Sequence, residues 1–316
     1  TAQSLRSLAS LYKTMGRYED ARKMASEALD ISRKKYGKDH PYVAETLHTL
    51  ADVRNSLGEF DAAEELCKQA LGIREAKKGK THPAVAESEQ LLGAIYRSTG
   101  RNAEAEALFK DALSIRQAAF GAEHPLVAQS LTSLGFLYSA TGKYADAETY
   151  LKKALDIRQK SLAPEHQDTA TNLSALARVY MTTGRYFEAE KLLARSMKIR
   201  EKLLGVNHPL YSGSISSTAE LYEAMGKYVD AELLYKKALD IRTKARGSEH
   251  PGTARVMTSL AGLYLNMGRY EDAERLVSKA IPINENKLGR EHIETAKSMQ
   301  VLDRKSTRLN SSHGYI

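Results

Sequence analysis

The sequence predicts an all-α solenoid of seven helix–turn–helix repeats, because several residue columns recur every 42 residues without an insertion. An alanine follows each recurring glycine by five residues, and a tyrosine precedes most of the glycines by four. One such helix pair cannot bury both of its apolar faces alone, so neighbouring pairs must stack. The glycine column is Gly16, Gly58, Gly100, Gly142, Gly184, Gly226 and Gly268, and the histidine column is His40, His82, His124, His166, His208, His250 and His292.

The fourth cycle shows how each repeat divides into two helices. Val127, Leu131 and Tyr138 share one helical face at intervals of four and seven residues. Gly142 predicts the end of that helix, since glycine enters the left-handed region without steric cost. A second apolar stripe over 144–157 predicts the second helix. An alanine or glycine three residues before each tyrosine column position predicts close approach of the two helices.

The start of each cycle is predicted by a histidine, usually followed by proline, as in His124-Pro125. Proline is tolerated in the first turn of a helix, and the N-cap is either the histidine or the residue before it, which is Asp39, Thr81 or Asn207 in three cycles. The repeats span about 1–39, 40–81, 82–123, 124–165, 166–207, 208–249 and 250–291, followed by a partial eighth first helix over 292–302 and a non-repeat tail over 303–316.

Both ends of the array carry further expectations. Pro282 lies inside a second-helix pattern and should kink or end that helix. Residues 303–316 lack apolar periodicity, and we expect them to be disordered or non-native. Thr1 already lies within a first-helix pattern, so we expect the array to be part of a longer natural chain.

Composition excludes several classes of protein. The 316 residues include 47 Lys and Arg against 39 Asp and Glu, a formal net charge of +8. A single cysteine excludes a disulfide framework and a Cys-based zinc site. No apolar run is long enough to predict a membrane span. The N-terminus lacks the basic-then-apolar layout of a signal peptide, so a reducing, cytoplasmic compartment is favoured.

No residue pattern predicts catalysis, a cofactor or a metal. The repeated histidines should lie at least one helix spacing apart, roughly 8–10 Å, whereas zinc needs nitrogen ligands at about 2.0–2.1 Å. Cys67 lies in an apolar core column, which favours an inert thiol over a nucleophile. Glycines 42 residues apart do not form a phosphate-binding loop. The sequence therefore predicts a protein that is not an enzyme.

The positive charge leaves two interpretations open. Much of the excess lies late in second helices, at residues such as Arg158, Arg200, Arg242 and Lys244, where the helix dipole favours cations. Solvated helix ends are the favoured interpretation. A ridge that binds RNA or phosphate is the alternative.

The order of small residue, tyrosine, glycine, tyrosine and alanine on two helices resembles the tetratricopeptide repeat. The 42-residue unit and segments such as YLKKALDIRQKSL (150–162) and GVNHPLYS (205–212) are similar to the kinesin light chain type. The resemblance implies a right-handed superhelix whose first helices line a concave face, used as a protein-interaction scaffold. It does not carry over a cargo or a motor partner, because the paired Asn of kinesin light chain repeats is replaced by pairs such as His48-Thr49.

In that geometry, register assigns the residues of the concave face. Phe136 and Met181 offer apolar anchors in the middle of the groove, and Arg97 and Arg178 offer planar cations. In the first three cycles the inward columns include Arg6, Lys13, Glu45, His48, Asp52, Glu87, Gln90 and Ala94. The predicted peptide-binding residues are Arg97, Gln129, Thr132, Phe136, Ser139, Thr171, Ser174, Arg178, Met181 and Glu220.

The favoured function is therefore binding of a partner's peptide segment, acidic and with an apolar anchor, in this groove. The first alternative is a regulatory or sensor region of a larger signalling protein whose nucleotide-binding or effector domain lies elsewhere. Nucleic-acid binding through the basic helix ends is less favoured. We expect a monomeric array, or part of a larger chain, without membrane contact.

Overall fold

The computed structural model describes residues 1–161, 165–290 and 292–313, with side chains as far as Arg304. Over these residues the chain forms fifteen α-helices and no strand, which confirms the all-α class. The helices are α1 Ala2–Thr14, α2 Tyr18–Tyr36, α3 Pro41–Leu57, α4 Phe60–Lys78, α5 Pro83–Ser98, α6 Asn102–Phe120, α7 Pro125–Ala140, α8 Tyr144–Ser161, α9 Gln167–Thr182, α10 Tyr186–Leu204, α11 Pro209–Ala224, α12 Tyr228–Arg246, α13 Pro251–Asn266, α14 Tyr270–Leu288 and α15 Ile293–His313.

The helices divide into two compact units. The first, Thr1–Val179, contains α1 to α8 and most of α9, and the second, from Tyr180, contains the end of α9 and α10 to α15. Within each unit the first and second helices of a repeat pack together, as α5 packs on α6 and α13 on α14. Each second helix also packs on the first helix that follows, as α4 does on α5. These are the predicted stacked helix–turn–helix units.

The turn inside each repeat depends on the glycine column. Gly58 ends α3 with φ 83° and ψ 6°, in the left-handed region that a residue with a Cβ rarely adopts. The backbone then closes a short loop, in which the N–H of Glu59 donates to the carbonyl of Arg54 at 3.0 Å. The predicted helix stop at this glycine is confirmed.

Small residues allow the two helices of a repeat to approach closely. Gly93 on α5 faces Phe109 on α6, and a Cβ at Gly93 would lie 2.7 Å from the Phe109 ring. Tyr96 is buried one turn later, and its hydroxyl donates to Glu64 of α4 at 3.1 Å. The tyrosine column therefore closes the gap above the small residues and also bonds the preceding repeat.

The histidine column forms the N-caps of the first helices. In His124, Nδ1 accepts the backbone N–H of Leu126 at 3.2 Å, and the other six histidines of the column accept from the equivalent N–H groups at 2.8–3.2 Å. The cap is thus the histidine rather than the residue before it. Because Nδ1 is the acceptor, the neutral imidazole carries its proton on Nε2.

The C-terminal repeat differs from two expectations. Pro282 was expected to kink or end its helix; it does not end it, because α14 continues to Leu288, and a kink there stays a prediction. Pro282 and Ser278, whose carbonyl loses its helical donor, are both exposed, so water can satisfy that carbonyl. Beyond Leu302, α15 continues to His313 where the sequence predicts a disordered or non-native tail, since no glycine or proline interrupts 293–313. Residues 314–316 lie outside the described part, and a non-native origin stays a prediction.

Candidate functional site

Two adjoining cavities open on the first helices of the first unit. The smaller, of about 320 Å³, lies between α1, α3, the end of α4 and the start of α5. The larger, of about 600 Å³, lies over α3, α5 and the start of α7. Both are lined by His48, Ala84 and Glu87, so the two cavities are neighbours on the same face. The smaller cavity is also lined by Arg6, Pro41, Glu45, Thr49, Arg74, Lys77 and Lys78, and the larger by Asp52, Pro83, Gln90, Leu91, Ala94, Arg116, Leu126 and Gln129.

His48 forms the shared wall of the two cavities. Its Nδ1 is buried and meets no hydrogen-bond partner among the described residues. Burial lowers the pKa of His48, while the carboxylate of Glu87 opposes this shift and the guanidinium of Arg74 adds to it. The imidazole is therefore neutral near pH 7, and its buried Nδ1 lacks a hydrogen-bond partner among the described residues.

Arg74 fixes the floor of the smaller cavity. It is buried in α4, where Nη1 donates to the carbonyl of Ala84 at 2.9 Å and to Oγ of Ser88 at 2.8 Å. Nη2 forms an ion pair with Glu87 at 2.8 Å. Because three groups hold it, this guanidinium presents a preorganised positive charge to the cavity.

Buried arginines recur at the position of Arg74 in the following repeats. Arg116 donates to Leu126 O at 3.1 Å and to Ser130 Oγ at 2.8 Å, and Arg200 donates to Ser214 Oγ at 2.7 Å. The interpretation of Arg158 and Arg200 as solvated helix ends is wrong, since both are buried. These guanidiniums tie each second helix to a first helix.

The inward columns predicted by register line these cavities. Glu45, His48, Asp52, Glu87 and Gln90 all contribute, each from the first-helix position that the 42-residue period assigns. Arg6 of α1 forms an ion pair with Glu45 of α3, and Lys13 of α1 with Asp52 of α3. Neighbouring first helices are therefore crosslinked by opposite charges along this face.

Three of the predicted site residues lie on α5 and α7, two of the helices that line the larger cavity. Gln129 lines it directly. Arg97 of α5 lies over the ring of Phe136 on α7, with the guanidinium carbon 5.9 Å from the ring centroid.

The placement of Thr132 on the open face is wrong, because it is only 6% exposed and accepts a hydrogen bond from Arg158 at 2.9 Å. Its hydroxyl is used inside the repeat.

The other predicted site residues are spread over both units. The hydroxyls of Thr171 and Ser174 donate to carbonyls of their own helix, α9, and Arg178 is exposed at the end of the first unit. Ser139 is half-buried on α7, whereas Met181 and Glu220 are half-buried in the second unit. A single binding site made of the ten residues stays a prediction.

The structure adds residues that the sequence-based site lacked. His48 and Glu87 belonged to the inward columns but not to the predicted site, and Arg74, Lys77 and Lys78 were absent from both. The signal for Arg74 was its recurrence at 42-residue intervals as Arg116 and its successors. No cluster of three or more His, Cys, Asp or Glu able to hold a metal occurs among the described residues.

Sequence comparison decides the family. The tetratricopeptide repeat profile matches five segments, 1–76, 46–118, 83–160, 168–244 and 214–286. The chain belongs to the tetratricopeptide repeat family. A comparison with curated proteins gave no match.

Solved structures resemble this tetratricopeptide array. The kinesin light chain nearly identical TPR-like repeats of Podosopora anserina are 27% identical, over 64% of this chain and 96% of theirs, with a TM-score of 0.51. A Rap protein complexed with Competence and Sporulation Factor is 16% identical, over 88% of this chain and 73% of its own, with a TM-score of 0.69. The quorum sensor NprR from B. thuringiensis is 17% identical, over 88% and 75%, with a TM-score of 0.66. The last two likenesses concern the fold alone.

Two further observations concern the buried Cys67 thiol and the capacity of the helices to cross a membrane. Burial raises the pKa of the Cys67 thiol to about 12, and its Sγ contacts the carbonyl of Ser88 at 3.3 Å. In the described part of the chain, no helix has both the length and the apolar character needed to cross a bilayer.

Proposed function

We propose that this array is a non-catalytic scaffold that binds a peptide segment of a partner protein along the face of its first helices. The observation that carries the proposal is the depression around His48, which consists of two adjoining cavities that share three lining residues. Its length over α1, α3, α5 and α7 suits an extended or helical segment rather than a compact small molecule.

The charges of the depression favour an acidic peptide. Arg6 and Arg74 are each matched by a glutamate, but the ammonium groups of Lys77 and Lys78 have no ion-pair partner among the described residues. An acidic side chain in the smaller cavity would supply one. The larger cavity offers Leu91 and other apolar atoms to an aliphatic or aromatic side chain.

The predicted residues Arg97, Phe136 and Arg178 extend this binding face within the first unit. The stacked Arg97–Phe136 pair offers a planar surface next to the larger cavity. Peptide binding also occurs on this fold elsewhere, because the Rap conjugation gene regulator of plasmid pLS20 was solved in complex with the Phr* peptide. That cytoplasmic proteins supply the partner stays part of the proposal.

The test is selection of binders from a phage-displayed library of random 12-residue peptides on the whole chain. We expect enrichment of sequences with an acidic and an apolar residue, and at least tenfold weaker binding of the best peptide to Lys77→Glu/Lys78→Glu, because two favourable charge contacts become repulsive. Lys34→Glu/Lys35→Glu is the matched control, since it makes the same charge change one repeat earlier, outside the cavity lining.

The outcomes separate the site from the function. If Arg178→Glu weakens binding and the Lys77 and Lys78 variant does not, the peptide lies along the originally predicted residues instead. Failure to select any peptide would discard the scaffold proposal itself.

A second candidate function is a regulatory or sensor region of a larger signalling protein. It is favoured by the fold shared with a quorum sensor and with a conjugation gene regulator, of which this chain covers 75% and 74%. Sequencing the gene upstream of the Thr1 codon tests it. A nucleotide-binding or effector domain there would support the sensor function.

A further inference from the structure

The positive charge of the chain is concentrated at two adjacent helix ends. Residues 33–40, at the end of α2, contain four Lys or Arg and one acidic residue, and residues 74–82, at the end of α4, contain the same numbers. Each segment thus carries three net positive charges, and together they account for six of the eight on the chain. The corresponding segment of the third repeat, 116–124, is neutral.

The lysines of these two segments are free of ion pairs within the part of the chain that the structure describes. Some second-helix lysines elsewhere are neutralised, as Lys110 is by Glu106 at 2.6 Å and Lys236 by Glu232 at 2.7 Å. The free ammonium groups, all exposed, belong to Lys34, Lys35, Lys38, Lys77, Lys78 and Lys80. Their positive charges are therefore exposed to solvent and are not neutralised by carboxylates of the array.

An aromatic stack lies beside the first group of lysines. The rings of Tyr36, His40 and Tyr42 are mutually stacked, with centroids 4.7–5.5 Å apart and interplanar angles of 11–27°. Lys35 Nζ lies 5.0 Å from the Tyr36 ring centroid. Tyr36 is 39% exposed and Tyr42 48% exposed, so the stack presents ring surface to solvent.

The two lysine groups lie on the same side of the first unit. Side chains link α2 to the second helix of the next repeat, since Arg22 pairs with Glu59, the residue before α4, at 2.8 Å and Arg33 donates to Gln69 of α4 at 3.3 Å. The two groups also occupy the same register positions in consecutive repeats, so they lie on the same face of the first unit. A single extended polyanion can contact both.

We propose that this surface, the α2–α4 basic edge formed by residues 33–42 and 74–82, binds single-stranded nucleic acid. The unpaired lysines contact successive phosphates, and the exposed rings of Tyr36 and Tyr42 stack on bases. Lysines alone would suit any polyanion. The planar aromatic stack among them is what favours bases over a phospholipid surface or an acidic protein.

The structure moves the candidate nucleic-acid surface from the later repeats to the first two. From the sequence, the basic excess appeared to lie in later repeats, at residues such as Arg158 and Arg200, which the structure buries. Six free lysines are instead clustered at two helix ends in the first two repeats, and only the folded chain shows that Tyr42 stacks with Tyr36 and His40. The basic edge is distinct from the proposed peptide face except at four residues that also line the smaller cavity, Pro41, Arg74, Lys77 and Lys78.

The test is fluorescence anisotropy of the whole chain with a fluorescein-labelled 12-nucleotide single-stranded RNA of mixed sequence, titrated at several salt concentrations. Six lysine–phosphate contacts predict a slope of about −4 in a plot of log K against log salt. Lys34→Gln/Lys35→Gln/Lys38→Gln should make the slope shallower by about 2. Tyr42→Ala should weaken binding about fivefold or more at every salt concentration, through the loss of stacking.

Matched controls lie in the second unit. Lys236→Gln/Lys237→Gln/Lys244→Gln removes the same number of positive charges from α12, and Phe187→Ala removes an exposed ring from α10. Both should leave the affinity and the salt slope unchanged. Circular dichroism confirms that every variant retains its helical content.

Three outcomes would overturn the proposal. One is absence of binding at 50 mM salt. Another is binding that the α2 lysine variant and its α12 control weaken equally, which indicates a diffuse charge effect. The third is binding that Tyr42→Ala leaves unchanged, or preference for vesicles of anionic phospholipid over the RNA, which indicates a polyanion surface without base stacking. None of these results bears on peptide binding at His48.

Discussion

Glu89 occupies a position where the other repeats have a leucine, isoleucine or methionine. Leu47, Leu131 and Leu173 are its equivalents in three other repeats, and all are buried. Glu89 itself is only 8% exposed, and its Oε2 meets no donor among the described residues. Burial is the largest cause that raises its pKa to about 7, and the carboxylate of Asp111 adds to the effect.

The sign of the pH effect follows from which state binds the proton. In the unfolded chain Glu89 titrates near 4.5, so between pH 4.5 and about 7 the folded state holds more protons. Stability is therefore fully present below pH 4.5 and falls as pH rises through 7. At about 1.4 kcal/mol per pH unit, the total effect is about 3 kcal/mol, of which about 2.5 kcal/mol falls between pH 5 and 8.

Urea unfolding at pH 5 and pH 8 measures this contribution, with hydrogen exchange of the α5 amides as a local readout, because repeat arrays can open in parts. Glu89→Gln should remove about 2.5 kcal/mol of the pH-dependent loss, and Glu89→Leu should in addition stabilise the chain at pH 8. Glu65→Gln is the matched control on an exposed carboxylate of α4 and should leave the profile unchanged. Parallel pH profiles for the wild type and Glu89→Gln would refute the reasoning.

Three further predictions concern packing, the arginine column and the histidine caps. Gly93→Ala should destabilise the chain by about 1–3 kcal/mol, because the new Cβ meets the Phe109 ring, whereas Gly262→Ala, with open space around it, should stabilise by up to about 1 kcal/mol; thermal melts compare the two. Arg116→Ala should cost about 2–4 kcal/mol in urea unfolding, since it leaves buried acceptors unpaired, and Arg116→Lys should recover only part of this loss. Burial lowers the pKa of His208, so its cap should stabilise above pH 6.5 and be lost as pH falls below that value; His208→Asp should flatten this dependence in melts between pH 5 and 7, and an unchanged slope would contradict it.

Repetition made the backbone of this protein predictable from sequence. A residue that recurs at the same position in seven repeats predicts the same local structure each time, even where its neighbours in the sequence differ. Gly58 therefore marks a helix end and His124 a helix start. The choice of histidine as N-cap was not predictable, because Asp39 and Thr81 are also good caps and only the geometry of Nδ1 separates them.

Side-chain environments were less predictable, even where the sequence signal was regular. The arginine column is as periodic as the glycine column, but whether a guanidinium is solvated or buried depends on what faces it. Arg74 and Arg116 meet a serine hydroxyl fourteen residues later. Where that position is Val256 instead, Arg242 bonds Ser212 of the preceding first helix.

The candidate site was likewise only partly predictable from the sequence. The inward columns follow from helical register, which is why Glu45 and Gln90 line the cavities as expected. The cavities themselves depend on the sizes of neighbouring side chains and on charge pairs such as Arg74–Glu87. Such contacts join residues at different positions of the 42-residue repeat, so the recurrence of any one position does not predict them.

The arginine column also gives a rule for shortening this protein by whole repeats. In the first repeat the position holds Ser32, and in the seventh it holds Asn284, whose amide donates to Ser298 at 3.1 Å. A truncation after α4 or α6 would leave Arg74 or Arg116 near the new terminus, still charged but without the groups that accept its hydrogen bonds. Replacing that arginine with the serine or asparagine that the chain carries at this position in its first and seventh repeats should give shorter arrays that remain folded and do not aggregate.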